Sequence, residues 1–116
     1  MVMYVKKMIM NNKDLIAKLK EYEENCRIAL FNGSSLSEYI VVTTKRIYMG
    51  GGRHGECVYL FTNKGYEKRF SNKDLQSILS EYPDDMPVYR SDGFMRDIEI
   101  WHLGHHESSF GKYIEL

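Results

Sequence analysis

The stretch Ser71–Gly93, SNKDLQSILSEYPDDMPVYRSDG, repeats at a distance of 60 residues the earlier phrase Asn11–Gly33, NNKDLIAKLKEYEENCRIALFNG. Eight positions are identical, from Asn12/Asn72 through Lys, Asp, Leu, Leu, Glu and Tyr to Gly33/Gly93. Each copy opens as a helix does. Asn11 or Ser71 can serve as N-cap with Asp14 or Asp74 at N3, and Met10/Leu15 or Phe70/Leu75 are spaced for a hydrophobic staple. Leu15, Ile16, Leu19 and Tyr22 form one apolar stripe at helical spacing, and Leu75, Ile78, Leu79 and Tyr82 form its counterpart. The spacing predicts two helices of about three turns, the second ending at Tyr82 because Pro83 disfavours helical geometry in the residue before it.

Beyond the helices, Cys26–Phe31 and Met86–Arg90 read as short strands ending at Asn32-Gly33 and Asp92-Gly93, pairs that tolerate the positive φ of a tight turn. Pro87 marks a strand start or an edge. The copies realign further on, Ile40 with Ile98 and Val42 with Ile100 at an offset of 58, then Val58 and Leu60 with Ile114 and Leu116 at an offset of 56. Between them, Gly50–Gly55 and Gly104–Gly111 read as equivalent hairpin tips. Val2–Met10 adds a strand before the first helix, and Asn63-Lys64-Gly65 is a turn before the second. The expectation is one α+β domain over residues 1–116, built as an internal duplication (about 1–62 and 63–116) of a helix and about three strands. Both helices should cover one mostly antiparallel sheet, or two halves meeting edge to edge, about a pseudo-twofold axis. Exchange of the two copies between chains of a dimer is the alternative.

At 116 residues the chain can bury a self-sufficient core. Lys+Arg and Asp+Glu both number 16, so no global field draws it to nucleic acid or an anionic membrane, and any such binding needs a local patch. Two cysteines, Cys26 and Cys57, are too few for a disulfide scaffold, and no secretory signal or membrane span is read at the N-terminus. The setting expected is cytoplasmic with both thiols free, and Asn32-Gly33-Ser34 is read as a turn rather than a glycosylation site.

The run Leu75-x3-Leu79-x2-Tyr82-Pro83-Asp84-Asp85-x2-Val88 ending at Asp92-Gly93 resembles a unit of small bacteriophage and mobile-element α+β proteins, in which a capped helix, a Pro-Asp exit and a short strand open a compact domain. The first copy echoes it with Glu23-Glu24-Asn25 in place of Pro-Asp-Asp. The resemblance implies a phage-like origin and carries no functional residue with it. In size and character the chain is similar in kind to anti-defence proteins, the anti-CRISPR proteins and the anti-Thoeris signal sponges.

Three constellations bear on chemistry. His102, His105, His106 and Glu107 could supply imidazole and carboxylate ligands to a divalent ion, although their spacing straddles a glycine at a strand end and lacks the i, i+4 helical pattern. Gly50-Gly51-Gly52-Arg53-His54-Gly55 offers backbone N–H groups and an Arg fork to an anion, without the Lys-Ser/Thr ending of a P-loop. Arg46, Arg53, Lys64, Lys68 and Arg69 with Tyr48, Tyr59 and Tyr66 make the middle of the chain basic and aromatic, a composition able to grip a nucleotide or a single strand. Strands use Tyr, and charged side chains face water, for structural reasons alone. Cys26 and Cys57 read as buried, inert thiols and Asp84-Asp85 as a hydrated exit turn.

The reading that follows is a non-enzymatic phage-type binding protein without cofactor. Its partner is a host protein or a nucleotide-derived small molecule, met through Arg46, Arg53, His54, His105 and His106. The alternatives are a metal-dependent hydrolase using the His102/His105/His106/Glu107 cluster and a homo-oligomeric structural or interaction protein.

Overall fold

The computed structural model describes residues 10–33, 35–63, 65, 69–100, 102–109 and 111–116. Of the N-terminal strand expected over Val2–Met10, residues 2–9 lie outside them, as do Lys64, Tyr66, Lys68, Trp101 and Phe110, and Met10 is not in a strand.

Two helices and eight strands follow in the order α1 (Asn12–Leu19), β1 (Arg27–Phe31), β2 (Leu36–Ser37), β3 (Ile40–Gly50), β4 (Arg53–Thr62), α2 (Asn72–Leu79), β5 (Val88–Ser91), β6 (Asp97–Glu99), β7 (Gly104–Ser108) and β8 (Gly111–Glu115). The fold is α+β, with two four-stranded sheets rather than one: β2-β1-β8-β7 and β3-β4-β5-β6. In each sheet the two outer pairings are antiparallel and the central one is parallel, β1 with β8 and β4 with β5. The parallel pairs occupy corresponding registers. Ile28 lies opposite Ile114, and Val88 lies opposite Val58. Each sheet therefore takes strands from both segments of the chain.

Both helices start as their sequences dictate. The Asn11 side chain accepts from the Asp14 N–H and the Ser71 hydroxyl from the Asp74 N–H, while Asp14 and Asp74 return the bond to the cap backbone. Leu15, Leu19, Leu75 and Leu79 are buried with Ile28, Leu30 and Ile114 of one sheet and Ile40, Val58, Leu60, Val88 and Ile100 of the other, so one core joins helices and sheets. Each such leucine contributes roughly 1.5–3 kcal/mol by leaving water.

The helices end earlier than the proline predicts. α2 stops at Leu79, and α1 stops at the corresponding Leu19 with no proline near it. The cause is reciprocal capping. Asn12 donates its amide to the carbonyls of Leu79 (2.7 Å) and Tyr82 (3.1 Å), and Asn72 donates to those of Leu19 (2.7 Å) and Glu23 (3.1 Å). The first-turn N–H groups are taken the same way. Asn12 and Lys13 donate to Met86 and Asp84, Asn72 and Lys73 to Cys26 and Glu24. The groups that a helix terminus leaves orphaned are satisfied by the opposite helix and its exit loop.

The turns at Gly33 (φ 92°) and Gly93 (φ 86°) have the expected positive φ, and they meet each other. A Cβ on Gly93 would strike the Asn32 carbonyl, and one on Gly33 would strike the Phe94 ring. Past these turns the expected offset of 58 does not hold. Leu30 pairs with Ser37 and Arg90 with Ile98, so the counterpart of Ser37 is Ile98, 61 residues on. The physical reason is the loop closure. Asn32 N–H reaches Ser35 O, whereas Asp92 N–H reaches one residue further, to Arg96 O. The tips also narrow. Gly104–Ser108 is strand β7, and Arg53 and His54 already belong to β4. Among the described residues no helix is long and apolar enough to cross a membrane. Both cysteines are free and buried.

Candidate functional site

Alternation along the strands gives each sheet a core face and an outer face. On β1, Ile28 and Leu30 face the core, leaving Arg27, Ala29 and Phe31 outward. On β8, Ile114 faces inward and Tyr113 and Glu115 outward. Arg27 is the register partner of Tyr113, and Ala29 of Glu115. Because Ala29 is short, the outer face sinks into a groove of about 280 Å³ lined by Arg27, Ala29, Leu36, Glu38, Ser108, Gly111, Lys112 and Tyr113. Tyr113 makes one wall aromatic, and His106 backs it, stacked on Tyr113 at 4.8 Å between ring centroids and 3.8 Å from Glu115.

The opposite rim is charged. Glu38 sits between two guanidinium groups, 3.4 Å from Arg27 and 3.7 Å from Arg69. Arg69 lies 6.0 Å from the Tyr39 ring centroid. A second depression of about 360 Å³, lined by Asn32, Ser35, Ser37 and Tyr39, shares Leu36 and Glu38 with the groove as common wall. Lys112 points to the other side of its sheet, where its ammonium lies 2.6 Å from Glu23. That bond holds the Glu23 carboxyl below its usual range and raises Lys112.

The same place on the second sheet is closed. Tyr59 and Tyr89 are register partners there and pack with Ile47, Cys57, Met49 and Phe61 in a separate outer cluster. The Tyr59 hydroxyl donates to Asp97 at 2.6 Å, and Lys45 reaches the same carboxylate at 3.2 Å while lying 4.4 Å over the Tyr59 ring. Burial raises both phenols and pushes the Cys57 thiol up to about 11, so these groups are neutral near pH 7.

The residues singled out from the sequence are spread over both sheets. Arg46 faces Glu56 across the β3–β4 hairpin, Arg53 faces Gly50, and His54 packs against the Tyr48 ring at 5.3 Å. A Cβ at Gly50, Gly51 or Gly52 would meet nothing, so this tip projects into open space. Of its N–H groups, that of Gly52 is given to the Tyr48 hydroxyl at 3.1 Å. His105 and His106, as neighbours on a strand, point to opposite faces. His105 stacks on Tyr22 at 5.1 Å and lies 3.9 Å from the Cys26 sulfur, whose thiol burial raises. His102 is exposed between β6 and β7, and Glu107 faces Lys112. Among the described residues no three His, Cys, Asp or Glu side chains come together as a metal-binding group.

None of the residues expected to bind lines the groove, and His106 meets it only through its stack on the lining residue Tyr113. Arg27, Ala29, Leu36, Glu38 and Tyr113 went unread. The available signal was Ala29 standing where the repeat has Tyr89, with Glu115 where the offset of 56 has Tyr59. Compared with known protein families, with curated proteins and with solved structures, the chain matches none.

Proposed function

We propose that the chain is a non-enzymatic phage-type binding protein that sequesters the nucleotide signal of a bacterial defence system in the groove on the outer face of the β2-β1-β8-β7 sheet. The observation that supports this reading is the groove itself. It has an apolar floor at Ala29, a Tyr113 wall backed by His106 and the Arg27–Glu38–Arg69 rim, the apolar body with few polar groups that small-molecule sites present. The test is phage challenge of bacteria carrying a nucleotide-signalling defence system while they express the protein. Plaques should return with the native chain and not with Ala29→Tyr, which fills the groove from an outward position. Equal plaque counts from two equally abundant, equally stable proteins would clear the groove of the role.

A second reading, inhibition of a defence protein by direct contact, is favoured by Phe94 and Met95. These lie 70% and 97% exposed on the loop that packs over Gly33. Large apolar side chains left in water are enriched where partners dock. Under this reading Phe94→Ser with Met95→Ser abolishes protection and Ala29→Tyr does not.

A further inference from the structure

The groove offers more than a flat apolar slot, because its charged rim has a donor and acceptor pattern. We infer that it recognises the guanine base of a nucleotide, an assignment that rests on the groove being the binding site. Three features lead to it.

The first is size. At about 280 Å³ the groove lies just below the range of small-molecule pockets, roughly 300–1,000 Å³, which suits one base rather than a whole dinucleotide. The second is the wall. Tyr113, backed by its stack with His106, lines the groove with an aromatic ring beside the Ala29 floor, and bases of any kind stack on aromatic rings. The third is the rim, which selects among them. A carboxylate only accepts and a guanidinium only donates. Glu38 and Arg27 lie side by side, 3.4 Å apart, so the rim shows an acceptor pair next to a donor fork. Guanine displays the complement on two adjoining edges that meet at O6. Its N1–H and N2 amino group donate, and its O6 and N7 accept, the pair to which Arg binds most often. Adenine reverses the pattern at position 6, where an amino group would face the guanidinium.

The remainder of the nucleotide has a place to go. The 360 Å³ depression beyond Leu36 and Glu38 continues from the groove, and Arg69 stands near it between Glu38 and the Tyr39 ring. Ribose would lie across Leu36 and the phosphate toward Arg69, whose guanidinium matches phosphate oxygens in charge and geometry. Glu38, held by both arginines, then orients base and phosphate together.

The experiment is calorimetric titration of the full chain with guanosine 5′-monophosphate, adenosine 5′-monophosphate, guanosine and inorganic phosphate. The guanine nucleotide should bind roughly tenfold or more tightly than the adenine nucleotide, the scale of discrimination a bidentate edge contact supplies. Guanosine should bind more weakly than its monophosphate, and phosphate alone should give no saturable heat. Glu38→Gln should erase the preference for guanine without changing the melting temperature, and Ala29→Tyr should remove binding of both nucleotides. Equal affinities for the two nucleotides, or an unchanged preference in Glu38→Gln, overturns the guanine assignment. If neither nucleotide binds while Ala29→Tyr still loses phage protection, guanine is the wrong ligand and the groove stands. If Ala29→Tyr also keeps full protection, both fall.

Discussion

The two sheets share a strand order and a parallel central register, yet one outer face is filled and the other is open. The difference comes down to a pair of opposed residues: Tyr89 against Tyr59 in the β3-β4-β5-β6 sheet, Ala29 against Glu115 in the β2-β1-β8-β7 sheet. Where two phenols meet, their rings gather Ile47 and Cys57 into a small second core, and Asp97 and Lys45 tie the edge strands over it. Where a methyl meets a carboxylate, no such layer forms and a cavity remains. Backbone register is thus a frame that either face can use for stability or for a ligand, and side-chain volume at one position decides which.

Breaking the filled face should cost most. Tyr89→Ala digs there the groove that the other sheet has by nature, and should destabilise the protein by about 3–5 kcal/mol, the range for truncating a buried aromatic side chain. Urea denaturation measures it, and a loss below about 1 kcal/mol would mean that the outer cluster is no core.

The contrast extends to the helix ends. Asn72 accepts a bond from Gln76 at 3.0 Å, but at the matching position of α1 stands Ile16, and the buried Oδ1 of Asn12 meets no protein donor. Asn72→Ala and Asn12→Ala should each cost roughly 1–3 kcal/mol for every carbonyl left unpaired, with Asn72→Ala the worse by about 0.5–1.5 kcal/mol. Equal losses would show that the Gln76 bond contributes nothing.

At the crossing loops the two glycines differ in what they face. Gly93→Ala and Gly33→Ala both incur the left-handed strain of about 1–2 kcal/mol. Gly93 faces the Asn32 backbone, which cannot step aside, whereas Gly33 faces a ring that is 70% exposed and can swing away. Thermal melts should rank Gly93→Ala as the more damaging.

The smallest effect concerns charge. Asp92 occupies the position of Asn32 and takes N–H bonds from Phe94, Met95 and Arg96, which hold its carboxyl below the usual range. A depressed folded-state pKa stabilises the fold above the unfolded value near 3.9, and that contribution is lost as the pH falls through the depressed value. Asp92→Asn, which keeps the acceptor oxygen but not the charge, should lower the melting temperature slightly at pH 7 and flatten its fall below about pH 4.

What the sequence made legible was whatever is encoded within a few residues. Capping boxes, leucine stripes and the two glycine turns are short-range patterns, and they stand in the structure as read. Pairing across the chain was not legible, because the parallel partners β1/β8 and β4/β5 come from segments that no local rule connects. The helix ends were misjudged for the same reason, since the residue that stops each one lies in the other helix. The groove escaped notice because a single alanine acquires meaning only beside Glu115, and that neighbour is assigned by register alone. The histidines drew attention by clustering in sequence, where strand alternation then separated them.

The exchange of amide bonds between Asn12 and Asn72 has a consequence for how the molecule comes apart. Neither helix can fray without stripping partners from the far end of the other, so partial unfolding of one segment raises the energy of the other. The protein should open as one cooperative unit, with the amide hydrogens of Asn12, Lys13, Asn72 and Lys73 showing a common opening free energy equal to that of global unfolding.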